Sequence, residues 1–155
     1  MAKLSPETVE TMKQMAPGAI VRDGMLGKDR RPLPEIIEGD AATVAALGLT
    51  HKALGTRMEE MTETGRRGFG EAIGFEDAYT VQVHEVAGRM RCPFGDAGRF
   101  RKAVTTARRT DTGETFRWSD LGIHLVKEHG FFQGKKSNWR LDPVDLARFL
   151  GLTEH

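Results

Sequence analysis

Residues 65 to 74, GRRGFGEAIG, divide this chain into two kinds of sequence. Before them apolar side chains recur at helical spacing; after them apolar and polar residues alternate. A chain whose pattern changes in this way has to bury a group of helices against a sheet, each element covering the other's apolar face. The expected class is therefore α+β: an N-terminal helical half, then a small antiparallel sheet with two C-terminal helices packed on it. At 155 residues there is enough chain for one core and too little for two comfortable ones. Residues 1–155 read as one domain, with 1–68 mostly helical and 69–155 carrying the sheet and closing helices.

In the first half, Ser5-Pro6-Glu7 has the form of a helix start, and Val9, Met12 and Met15 follow at helical spacing. Pro17-Gly18 stops that helix. Ala19-Ile20-Val21 reads as a short strand, and the prolines at 32 and 34 make an extended connector up to Gly39. Asp40 then caps a short helix, and Thr50 caps a longer one ending near Gly65. The stretch ATVAALGLTHKALGTRMEEM resembles the helix-turn-helix of DNA-binding proteins, with glycine in the turn. That resemblance implies a reading helix, but here it would carry Glu59, Glu60 and Glu63 toward phosphates. A plain helical hairpin is the simpler account.

In the second half, Tyr79 to Val86 alternates as a half-buried strand, Gly88 allows a bend, and Arg89 to Cys92 resumes the strand. Thr110-Asp111-Thr112-Gly113 is the turn of a hairpin. Ser119-Asp120 opens a helix that Gly130 ends, and Asp142-Pro143 opens the last one.

The only cysteine, Cys92, sits at the end of the resumed strand, followed by a Pro-Phe-Gly turn; His124 and His129 lie near the end of the helix after Ser119. DLGIHLVKEHG resembles the helical half of a two-Cys/two-His zinc finger, in which two histidines near the helix C-terminus bind zinc. His124 and His129 fit the H-x4-H half of that motif, but one cysteine stands where the family has two, and 31 residues separate it from His124. Thiolate, imidazole and carboxylate are the ligands zinc takes, four at a time. Cys92, His124 and His129 supply three, and His84, Asp96, Glu128 or water supplies the fourth. Positions 124 and 129 lie about 140° apart on a straight helix, so a metal site asks their side chains to converge around it. The same residues allow a second reading, in which a Cys92 thiolate paired to His124 or His129 is a nucleophile.

Charge is unevenly spread. Residues 1 to 88 carry ten Lys/Arg against fourteen Asp/Glu, and residues 89 to 155 carry thirteen against eight. Arg89, Arg91, Arg99, Arg101, Lys102, Arg108, Arg109 and Arg117 lie on the hairpins, and Lys135, Lys136 and Arg140 follow in a loop beside Phe131, Phe132 and Trp139. Basic side chains track phosphates, so the expected partner is nucleic acid or an acidic protein. The aromatics read as anchors for the last helix. No run of about 18 apolar residues exists to span a membrane. A lone cysteine and no apolar leader at the start suit a cytoplasmic, reducing setting. The expected function is a small binding module, metal-stabilised by zinc. The alternatives are an enzyme built on Cys92 and a structural subunit of a larger assembly.

Overall fold

The computed structural model describes residues 3–154. Among them five helices and four strands follow in the order α1 (Pro6–Gln14), α2 (Leu33–Ala46), α3 (His51–Arg66), β1 (Ile73–Phe75), β2 (Tyr79–Met90), β3 (Phe100–Arg109), β4 (Thr115–Ser119), α4 (Asp120–His129) and α5 (Pro143–Phe149). The strands form one antiparallel meander in chain order. This is an α+β fold, helices first, then the sheet, then two helices. No helix among the described residues is long and apolar enough to cross a membrane.

Local chemistry sets most boundaries. Ser5, Thr50, Ser119 and Asp142 each accept a backbone N–H from three residues on, at 2.9–3.1 Å. Such a cap contributes about 1 kcal/mol to a helix. Gly130 (φ 59°) closes α4 in the left-handed conformation, with its own N–H on the Val126 carbonyl and that of Phe131 on Leu125.

The first half departs from expectation between Ala19 and Gly39. Ala19 to Val21 forms turns, not a strand. The two prolines open α2 and do not extend the chain. Pro32 is the N-cap and Pro34 lies in the first turn, where a missing N–H is harmless. Asp40 consequently lies within α2 and caps nothing. It is buried, and its carboxylate takes a forked pair of hydrogen bonds from Arg140 at 2.5 and 3.0 Å. Gly65 is likewise inside α3, where a Cβ would come within 2.8 Å of Val83. That close approach, with Gly55 against Lys127, lets α3 lie tightly on both β2 and α4. A short strand, β1, begins at the end of the glycine-rich stretch 65–74 that divides the two halves.

Two clusters of buried side chains meet at α4. Ile123 and Val126 join the larger one, with Leu54, Met58 and Met61 of α3, Val81, Trp118 and Phe149. Leu121 and Leu125 join the smaller, with Met15, Met25, Leu33, Ile36, Phe131 and Cys92. Trp118 donates to Thr62, whose hydroxyl bonds Thr105 at 2.6 Å, so the buried polar atoms at the centre of the larger cluster are paired. The helical hairpin of α2 and α3 is part of this core: α3 is packed on the sheet and α4, and Glu59 on its outer side pairs with Lys127. Phe132 is buried in the larger cluster with Leu146 and Phe149 of α5, where an anchor of the last helix belongs; Phe131 is buried in the smaller cluster, away from α5, and Trp139 is half-buried under the Arg117 guanidinium.

Candidate metal centre

Cys92, Asp96, His124 and His129 come together, each offering a ligand atom within 4.8 Å of all the others. Two pieces of chain make the group. The first is the turn between β2 and β3. The strands splay at a bulge between Val86 and Arg89, which inserts Ala87 and Gly88 opposite the Lys102–Arg101 step. Beyond it the chain leaves the ladder after Met90 and folds over the end of α4. The Cys92 side chain is buried in the smaller core cluster, and the Gly95 N–H closes a turn onto the Cys92 carbonyl at 3.1 Å.

The second piece is the last two turns of α4. At about 100° per residue, Leu121 and Leu125 form a stripe, with His124 about 60–100° to one side of it and His129 about 40–80° to the other. The stripe faces the cluster that contains Cys92. The turn that buries Cys92 therefore settles between the two imidazoles, and the angular separation that looked unfavourable becomes a pair of jaws. Both rings present Nε2 to Asp96 Oδ2, His129 at 2.7 Å and His124 at 2.9 Å, and Cys92 Sγ lies 3.7 Å from His129 Nε2. Aromatic packing holds the rings there. His129 stacks flat on Phe94 at 4.1 Å, and His124 leans on Phe100 at 4.5 Å.

These distances suit a small tetrahedral ion. Zinc–nitrogen or zinc–oxygen bonds of about 2.0–2.2 Å and zinc–sulfur bonds of about 2.3 Å set ligand-to-ligand edges of roughly 3.3–3.7 Å. The Sγ–Nε2 distance already has that length. The two imidazole–carboxylate contacts need to open by a few tenths of an ångström. His129, and with it His124, holds the Asp96 carboxyl below its ordinary range. Burial pushes the Cys92 thiol up, while the backbone N–H groups of Asp96, Phe94 and Gly95 pull it down. The nearby Asp96 charge adds to the upward push, and the backbone donors offset only part of it. The net upward shift opposes a free nucleophile, which needs its thiolate at neutral pH.

Comparison with protein-family models, curated proteins and solved structures returns no match. The site is thus read from its own geometry.

Of the residues the sequence singled out for metal, Cys92, His124 and His129 converge and His84 does not. His84 is exposed in the middle of β2 opposite Val104, and lines a separate surface hollow with Arg66 and Phe69. Eight residues of mostly extended chain at about 3.3 Å each separate it from Cys92, too far for one ion. Glu128 is exposed and outside the group. Asp96 takes the place, four residues after Cys92 and near the spacing at which a finger has its second cysteine. That spacing is the signal that favours it over His84.

The basic residues do not form one face. Arg140 is committed to Asp40 and Arg109 to Asp111. Arg91 donates to Gln14 and the Ala19 carbonyl, tying α1 to the cysteine turn. Arg108 lies at the far end of the sheet opposite Thr80 and Thr115, and Lys135 and Lys136 sit in the loop after α4. Lys102 alternates with Arg101 and so points to the other side of β3. What remains is local. Arg89 and Arg101 are direct cross-strand partners, and with Arg99 and Arg66 they line a hollow of about 360 Å³ beside Phe100. Like charges directly opposite each other destabilise a sheet. Here Glu63, Glu85 and Asp120 offset Arg66 and Glu85 partly offsets Arg101; Glu63 and Asp120 line the same hollow, and no carboxylate pairs with Arg89 or Arg99 among the described residues.

Proposed function

We propose that this chain is a binding module stapled by one zinc ion, with the arginine hollow beside the staple as its contact for an anionic partner. The observation that carries the reading is the convergence of one thiolate, one carboxylate and two imidazoles from a turn and a helix far apart in sequence. Zinc is the natural ion for such a mixed set, and four protein ligands leave no open position, which is the pattern of structural rather than catalytic zinc. The resemblance of DLGIHLVKEHG to the finger helix fits this account, with Asp96 in place of the second cysteine. The ion would pin the Arg91–Arg99 turn to α4, and a fixed turn holds Arg89, Arg99 and Arg101 in register. Phe100 links the two sites, since its ring lies against His124 and lines the hollow.

Titration of zinc into metal-stripped protein tests the staple. One equivalent is expected to bind with release of the Cys92 proton, because a coordinating thiol must be deprotonated. Cys92→Ser should abolish the high-affinity step. Binding of zinc that survives Cys92→Ser would place the ion elsewhere.

For the hollow, the expected partner is nucleic acid, and affinity should fall with salt at a log–log slope of about −0.9 per phosphate neutralised on duplex or about −0.7 on single strands. Arg89→Glu with Arg101→Glu should weaken binding at least tenfold, whereas Arg108→Glu should change it little. Equal losses from both would disperse the site over the sheet. No binding of either strand type at low salt would leave an acidic protein as the partner of the hollow.

A further inference from the structure

A second concavity, unconnected with any ligand considered above, opens where the loop after α1 meets the splayed end of β2–β3 and the start of α4. It measures about 280 Å³. Its floor is built from core side chains, Met25, Leu121 and Leu125, each almost wholly buried. Val86 stands at its rim, two-thirds exposed, one of few large apolar residues of this protein left in water.

Only two charged side chains line the groove, Arg22 and Lys102, both cationic and neither in an ion pair among the described residues. An apolar floor with a few polar groups at the edge is the usual build of a small-molecule pocket. Its volume falls just under the roughly 300–1,000 Å³ of pockets for drug-sized ligands, so the occupant is small. The charge at the rim fixes the sign of its head.

We infer that this groove binds a small amphiphile with one anionic head, of the medium-chain carboxylate class, its chain against the half-buried Ile20, Val21 and Val104 and its carboxylate between Arg22 and Lys102. The inference is independent of the zinc reading, since none of the four ligand residues lines the groove.

Methionine methyl NMR tests it. Met25 and Met90 line the groove, whereas Met58 and Met61 lie in the other core cluster and serve as internal controls. Decanoate, added below its micelle concentration, should shift the Met25 and Met90 methyls saturably and leave the controls in place. Arg22→Glu with Lys102→Glu should weaken decanoate at least tenfold, and decyltrimethylammonium should then bind the variant better than the wild type. Val86→Asp, at an exposed rim position, should weaken decanoate with no change in melting temperature. The absence of saturable shifts overturns the inference. So does equal binding of the cationic amphiphile by the wild type, or capture of an acidic amphipathic peptide with no response to decanoate.

Discussion

His129→Ala should lower the melting temperature of the zinc-loaded protein by roughly 10 °C, and a chelator should lower the wild type by a similar amount. An ion bound only by the folded state stabilises it by about 4 kcal/mol when free metal is a thousandfold above Kd. For a chain of this size each kcal/mol shifts the melt by about 2–4 °C. The packing lost with the imidazole is a smaller effect, about 0.5–1.5 kcal/mol for its stack on Phe94. The two contributions separate in a cycle: chelator should move the wild type strongly and the variant hardly at all. A His129→Ala protein that melts lower but still responds fully to chelator would show that the histidine is a packing residue and the ion lies elsewhere.

Arg140→Ala should be comparably damaging for an unrelated reason. The guanidinium spans Asp40 and the Gln133 carbonyl, so it ties the middle of α2 to the loop that leads into α5. Asp40 is 7 % exposed, and truncating its partner leaves a buried carboxylate uncompensated. Breaking such a pair costs about 3–5 kcal/mol, whereas replacing both members by apolar residues is often close to neutral. Asp40→Leu with Arg140→Met should therefore recover most of the stability lost by Arg140→Ala, as read by urea midpoints. A single variant as stable as the wild type would mean that water reaches Asp40 and the pair does little.

The contrast between these two sites shows what kind of information the sequence carries. Helix starts at Ser5, Thr50, Ser119 and Asp142 were legible because a cap acts within four residues, and so was the left-handed stop at Gly130. The alternation from Tyr79 to Val83 marked a strand because period and burial coincide there. Asp40 misled because a good cap residue and a buried ion-pair residue are the same residue; its partner lies a hundred positions away. The prolines at the start of α2 misled because the same ring disfavours helix before it and starts helix after it. At the centre itself, the three ligands with distinctive chemistry, Cys92, His124 and His129, stood out from the sequence. Asp96 stood as one of four candidates for the last place; its one mark in the sequence is its spacing from Cys92, and only the folded turn puts it between the two imidazoles. The basic residues were legible as a composition but not as a surface: strand parity and internal pairing remove Lys102, Arg109 and Arg140 from the hollow.

Cys92, Asp96, His124 and His129 form a group that could hold one metal ion, and the proposal is that such an ion closes the fold. Elemental analysis of protein purified without a histidine tag tests it most directly. Close to one zinc per chain is expected in the wild type, falling to a small residue in Cys92→Ser and unchanged in His84→Ala. Protein free of zinc and other transition metals, with a melt that neither added zinc nor chelator moves, would contradict it and reduce the cluster to a carboxylate hydrogen-bonded by two histidines.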